Sequence, residues 1–437
     1  MKKLALPLLS LLLLSGCPAA LCAKDYTPTP ENLETRKAFE NDRFGIFIHW
    51  GIYSMFGQGE WYLNRGPKQS EYCKAAAGFY PANFDAGEWA DIFKDAGAKY
   101  ITFTSRHHDG FSMYDTKQSD YNIVDATPYR RDVLKELSDS LADRGLKLHL
   151  YYSHVDWGRD DYPIGESGHG AMKDTTKADY NHYFDFMNSQ LKELLTGYGP
   201  IRAIWLDGCW DHEKDSIPFD WRLDEQYELV HSLQPGILIG NNHHHMPNPG
   251  EDIQIFERDV PGENHAGYSP GGVSTTLPLE TCQTMNGMWG YKVMDTDYKT
   301  FDELITLLAR TAGKGANLLL NVGPQPDGNI PAAAKDLFKQ IGVWMRANGN
   351  TIYGTQGSPF PEQEWGTATM RGKELFLHVL KPEAAISIPM RLKIADARIY
   401  GTDTKLKHKA EKDATLICLP EGFKTDGPDT IISLKLK

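Results

Sequence analysis

The stretch "IRAIWLDGCW", residues 201–210, decides how this chain folds. Ile201, Ala203, Ile204, Trp205 and Leu206 form an apolar run of strand length, and the run stops on a carboxylate, Asp207. A buried strand that ends on an acid raises the question of what stands around it. Runs of the same kind recur on both sides: "FGIFIHWG" (44–51), "KYITFTSRHH" (99–108), "KLHLYYS" (147–153), "GILIGNN" (236–242), "DIQIFE" (252–257), "NGMWGY" (286–291) and "ANLLLNVG" (316–323). With 201–208 they make eight strand candidates before residue 325. Helical patterns lie between several of them, at 86–98, 131–145, 180–199, 223–234 and 300–315. Strands alternating with helices predict a (β/α)8 barrel. The fifth to seventh strands have no full helices between them, so the barrel is expected to be irregular there.

Beyond about residue 350 the pattern changes to short strands separated by Pro, Gly and charged turns, at 374–380, 385–389, 392–401, 414–420 and 430–437. This predicts a C-terminal β-sandwich over 349–437, joined to a barrel over 24–348 through "ANGNTIYGTQGSP". Residues 1–23 read as a signal peptide, with Lys2 and Lys3 before an apolar run too short to span a bilayer comfortably. "LLSGC" resembles a bacterial lipobox ending at Cys17, and the other reading is cleavage after "ALCA" at 20–23. Either way the protein is expected to be exported, as a periplasmic or outer-membrane-anchored protein of a bacterium. Its membrane contact would be a lipid on Cys17.

Residues 1–16 carry two lysines and no acid, so their removal makes the chain more negative than the −12 of the whole sequence. Such a surface argues against nucleic-acid binding, which needs a basic footprint. Cys73, Cys209, Cys282 and Cys418 show no CxxC or regular spacing, hence no zinc or disulfide signature. The 10 Trp and 21 Tyr are enough to fill a large core, but aromatic faces also pack on the C–H faces of sugars.

In such a barrel the active site lies at the C-terminal ends of the strands, which gives Asp207 a purpose. Polar residues gather there: His49 at the first strand, His107, His108 and Asp109 at the second, Tyr151 at the third, Asp207 at the fourth, Glu257 and Arg258 at the sixth. Carboxylates among histidines and aromatics suit a retaining glycosidase, whose two carboxyl groups stand about 5–5.5 Å apart.

Four separated motifs, "FGIFIHWGIYS", "SRHHDGF", "WLDG" and "LETCQTMNGMWGY", in this order and over nearly the whole mature chain, resemble the α-L-fucosidases of glycoside hydrolase family 29. The resemblance implies a barrel with a C-terminal β-domain, release of terminal L-fucose from fucosylated glycans with retention, and no metal or other cofactor. It makes Asp207 the nucleophile and His49, His107, His108 and Tyr151 the holders of fucose hydroxyls, with Arg258 beside them. Glu280, opening "ETCQTMNGMWGY", is the first choice for the acid/base; Glu257 in "IFERD" is the competitor, and Glu263 stands behind both. Glu60 and Trp61 in "GQGEWY" either line the pocket or support it. Trp289 and Trp205 are candidates for an apolar wall against the fucose methyl group.

Two other functions fit parts of the pattern. A metal-dependent barrel hydrolase would use His107-His108 or His243-His244-His245, although adjacent strand residues point to opposite faces and no HxH or HExxH spacing occurs. A glycan-binding lipoprotein without catalysis would use the same carboxylates only to hold sugar.

Overall fold

The computed structural model describes residues 26–167, 175–381, 383–420 and 427–437. The leader and Cys17 lie outside these residues, as does the centre of the Gly-rich loop after the third strand. No helix among the described residues is long and apolar enough to cross a membrane.

Eight parallel strands form the barrel: β1 (Phe44–Ile48), β2 (Tyr100–Arg106), β3 (Lys147–Ser153), β4 (Ile201–Asp207), β5 (Leu238–Asn242), β6 (Gln254–Glu257), β7 (Leu279–Thr284) and β8 (Ala316–Val322). They are hydrogen-bonded in the order β5-β4-β3-β2-β1-β8-β7-β6. Around them run α1 (Pro30–Asp42), the short α2 (Tyr62–Arg65) and α3 (Gln69–Tyr72), then α4 (Ala86–Ala96), α5 (Val133–Asp143), α6 (Tyr180–Gly197), α7 (Leu223–Leu233), α8 (Phe301–Gly313) and α9 (Ala332–Asn348). β5, β6 and β7 follow one another without a helix, as the sequence pattern indicates.

Local chemistry sets these elements. α8 opens on a capping box: the Thr300 hydroxyl accepts from Glu303 N, and the Glu303 carboxylate accepts from Thr300 N. Its buried face is Leu304, Ile305, Leu308, Ala309 and Ala312, spaced as one helical stripe. β8, "ANLLLNV", is buried at every position because it faces helices outside and barrel interior inside. Leu320 is fully buried on the helix side, where truncation to Ala would cost about 2–5 kcal/mol.

The interior has its own smaller core of Phe47, Tyr151, Trp205, Cys282 and Leu319, with Phe39 of α1 packed into the same cluster. Between β5 and β6 the backbone ladder is reduced to an isolated bridge at Gly240 and Ile253. There the Asp252 carboxylate substitutes for missing ladder bonds: Oδ2 accepts from Ile239 N at 2.8 Å, while Oδ1 takes Arg36 of α1 at 2.5 Å.

The C-terminal strands are β9 (Gly366–Arg371), β10 (Glu374–Val379), β11 (Ala385–Ile388), β12 (Ile394–Ile399), β13 (Lys407–Ala410), β14 (Thr415–Cys418) and β15 (Thr430–Leu436). Two antiparallel sheets, β12-β15-β10-β9 and β11-β14-β13, share a core in which Leu375, Leu377 and Ile432 meet Ile386, Ile388 and Ile417. This sandwich packs on α8, where Arg310 bonds Glu362 at 2.6 Å and Glu263 at 2.5 Å. Glu263 is thereby committed to the junction.

One strand differs from the sequence reading. The seventh is Leu279–Thr284, and "NGMWGY" is the loop that follows it. Its aromatics imitate a strand, whereas the real β7, "LETCQT", has only Leu279 and Cys282 as apolar residues and lacks strand alternation.

Candidate functional site

A cavity of about 510 Å³ opens at the C-terminal ends of the barrel strands, and Asp207 stands in its wall. Gly208, at φ 109, turns the chain directly after β4, where a Cβ would lie 2.7 Å from Val155. The turn carries Trp210 back over the acid, so that its Nε1 donates to Asp207 Oδ1 at 2.9 Å. Tyr151 donates its hydroxyl to Oδ2 at 2.9 Å, and Asn242 Nδ2 lies 3.4 Å from Oδ1. Burial, then the charge of Glu257, pushes the Asp207 pKa up to about 6 against these donors. At neutral pH it is mostly ionised.

Glu257 ends β6 on the same cavity. Its Oε2 accepts from Asn242 Nδ2 at 2.9 Å and meets His244 Nε2 at 3.2 Å. Burial raises its pKa, but the contacts from His244 and Asn242, with Arg258 near, outweigh burial and leave it below the usual value. Despite its own burial, His244 is raised by the same contact. The Asn242 amide thus touches both acids. Its bonds of 3.4 and 2.9 Å, laid end to end, cap the Oδ1 to Oε2 separation at about 6.3 Å, so the two carboxylates stand side by side in the cavity.

His49 and His108 are neutral, and their hydrogen bonds fix which nitrogen is free. His49 Nδ1 lies 2.6 Å from Asn321 Oδ1, an acceptor when Asn321 Nδ2 donates to Trp289 O, so Nδ1 carries the proton. His108 Nδ1 lies 2.6 Å from Ser153 Oγ, whose own hydrogen goes to Val155 O. Each ring therefore keeps Nε2 as an acceptor. Burial lowers both pKa values to about 3 and lowers that of His107 as well. His107 stacks on Tyr151 with ring centres 5.3 Å apart.

His107 and His108 both face the cavity, contrary to the alternation argument, because they lie beyond the end of β2, where the chain turns with Gly110 N bonding His107 O. Asp109 turns away to take the Tyr72 hydroxyl at 2.7 Å. Among the described residues no group of three or more His, Cys, Asp or Glu is arranged to hold a metal ion.

Aromatic rings complete the walls. Trp61 stacks on Trp210 at 5.6 Å, and Trp289 lies 5.2 Å from the His49 ring. Glu60 is buried and accepts from Gly290 N at 2.7 Å, which ties the loop carrying Trp289 to the loop after β1. Arg258 holds the left-handed conformation at φ 64, covers Trp289 at 5.0 Å and donates to Gly287 O.

Of the residues singled out from the sequence, His49, Glu60, Trp61, His107, His108, Tyr151, Trp205, Asp207, Glu257, Arg258 and Trp289 line this one cavity; Asp109, Glu263 and Glu280 do not. Glu280 is the second residue of β7, paired with Ile255, whereas Glu257 pairs with Cys282. Two residues along a strand put it about 6.6 Å deeper in the barrel, on the same inward face. There it is fully buried, with only the Tyr100 hydroxyl at 3.5 Å, Oε1 unpartnered and its pKa pushed up to about 8 by burial. It is a neutral acid in the barrel interior. Its choice rests on its place just before "NGMWGY", and the strand it belongs to carries it below the mouth of the barrel. Asn242 and Trp210 escaped the sequence reading, in which His244 entered only as a candidate metal ligand, although applying the strand-end rule to β5 finds Asn242.

The chain has counterparts among known proteins. A family model described as Alpha-L-fucosidase matches residues 14–350. The plasma alpha-L-fucosidase of Homo sapiens is 30% identical over 409 residues, covering 84% of this chain and 80% of that protein. The structure of alpha-L-fucosidase isoenzyme 1 from Paenibacillus thiaminolyticus matches with a TM-score of 0.81 at 33% identity, over 93% of this chain and all of that one. A GH29 alpha-L-fucosidase from Bacteroides thetaiotaomicron, trapped as a covalent intermediate with 2-fluoro-fucosyl fluoride, matches with a TM-score of 0.79 at 27% identity, over 95% of this chain and 98% of that one. Matched along most of its length in sequence and in fold, this chain belongs to the α-L-fucosidase family, glycoside hydrolase family 29.

Proposed function

We propose that the protein is an exo-acting retaining α-L-fucosidase that releases terminal L-fucose from fucosylated glycans, with Asp207 as nucleophile and Glu257 as general acid/base. The observation that carries this reading is the Asn242 amide touching both carboxylates, which keeps the two acids side by side on one cavity wall, as a nucleophile and its acid/base must stand. Asp207 attacks the anomeric carbon while the glycosidic C–O bond breaks and Glu257 gives its proton to the departing oxygen. Water then loses a proton to Glu257 and attacks the same carbon, expelling Asp207 as carboxylate. The proton taken from water restores Glu257 to its acid form, and His244, 3.2 Å away, holds that carboxyl in place.

The neutral histidines and Tyr151 bind ring hydroxyls, and each such contact gives selectivity because a mismatched sugar leaves it unpaired. Phe47, Trp205 and Trp289 form the apolar wall for the C6 methyl group. The reading extends to location: the leader and "LLSGC" support export, with a lipid on Cys17. Mass spectrometry of the mature N-terminus distinguishes that from cleavage after residue 23.

The test of the chemistry is hydrolysis of a 4-nitrophenyl α-L-fucoside with and without EDTA. Asp207→Ala should abolish it. Glu257→Ala should slow substrates with poor leaving groups on the order of 10²–10⁴-fold while sparing activated ones. Equal loss on both kinds of substrate overturns the assignment of Glu257.

A further inference from the structure

The cavity wall beside Glu257 carries an aromatic face with no role in fucose binding. Tyr268, in the loop between β6 and β7, lines the cavity yet is 41% exposed. Its ring lies nearly parallel to that of His244, with centres 5.0 Å apart and planes 30° apart. His244 in turn touches Glu257 at 3.2 Å. The chain therefore runs from the acid to an imidazole to an open aromatic ring, in order of distance from the reacting bond. His244 holds φ 65, a conformation uncommon outside glycine, and such strain is kept where the surroundings over-determine it. Farther round the rim stand Arg65, Glu213 and the Lys214–Glu166 ion pair.

The oxygen that Glu257 protonates still carries the leaving group, which must extend over the next surface outward. That surface offers an aromatic plane and charged groups, the chemistry that suits a pyranose: C–H bonds on one face, hydroxyls at the edge. Tyrosine supplies such a face with few rotatable bonds to immobilise.

We propose that Tyr268, backed by His244, is the platform on which the leaving-group sugar packs, so that this pair selects the glycan from which fucose is removed. The proposal rests on the reading of Glu257 as the acid.

The experiment compares two substrates in the full-length protein. One is the α-L-fucosyl disaccharide, among 1,2, 1,3, 1,4 and 1,6 linkages, that the wild type cleaves fastest. The other is α-L-fucosyl fluoride, whose leaving group has no ring to pack and departs without a proton. In Tyr268→Ala the ratio of kcat/KM on the disaccharide to that on the fluoride should fall about five- to tenfold, mainly through KM. Tyr268→Phe, which keeps the face, should restore it. An unchanged ratio in Tyr268→Ala, or failure of Phe to restore it, overturns the proposal. Glu257→Ala, run on the same pair, separates the two readings: if it strikes the fluoride as hard as the disaccharide, the acid assignment fails, whatever Tyr268 does.

Discussion

Trp210→Phe removes one N–H from the Asp207 carboxylate and leaves the aromatic stack on Trp61 in place. A hydrogen bond to an ionised group contributes about 1.5–3 kcal/mol, and 1.36 kcal/mol corresponds to one pKa unit. Tyr151 and Asn242 remain as donors and share the charge, so about one unit is expected rather than two. The sign follows from the donor's role. Trp210 lowers the Asp207 pKa against burial, so its loss raises that pKa from about 6 toward 7. The acidic limb of kcat/KM reports this group in the free enzyme. Activity on a 4-nitrophenyl α-L-fucoside should therefore fall about fivefold at pH 6 and hardly at all at pH 8. A variant that loses the same fraction at every pH, or whose acidic limb does not move, would refute the argument that Trp210 sets the charge of the nucleophile.

Glu280→Gln tests the acid in the barrel interior: the wild-type pKa is raised by burial, so the folded state holds a proton that the unfolded chain releases above about pH 4.3. Stability should thus be greatest below that pH and decline up to about pH 8, and the Gln variant, neutral throughout, should show a flatter Tm between pH 5 and 8. Parallel Tm curves for the two proteins would contradict this. Trp289→Ala should weaken recognition of the methyl group, cutting the preference for an α-L-fucoside over the α-L-galactoside, which differs by one hydroxyl on C6, by about tenfold or more in kcat/KM. A preserved preference would assign the methyl wall to Phe47 and Trp205.

Residues whose environment is set by one strand were legible in the sequence; those set by two were not. Asp207 and Glu257 end apolar runs, and the ends of barrel strands face one mouth. The neutral state of His49 and His108 comes from burial, and their tautomers are set by Asn321 of β8 and Ser153 of β3, which no local pattern connects to them. β7 was misread because its inward face carries Glu280 and a cysteine rather than a row of aliphatics, while the following loop, with Met288 and Trp289, looked more like a strand. β9 and β13 were missed for a related reason: β13, "KHKA", is exposed along its length and has no apolar alternation to read.

The seam between β5 and β6 reaches the chemistry as well. Asp207 stands on β4 and Glu257 on β6, so the strands that carry the two acids are joined through β5 and the place where the ladder is thinnest. Their gap is governed by Asp252, Arg36 and one Asn242 amide rather than by a continuous sheet. For an engineer this is an adjustable jaw: lengthening the connection between these strands is the direct route to admitting a water between the acids, and with it inversion in place of retention.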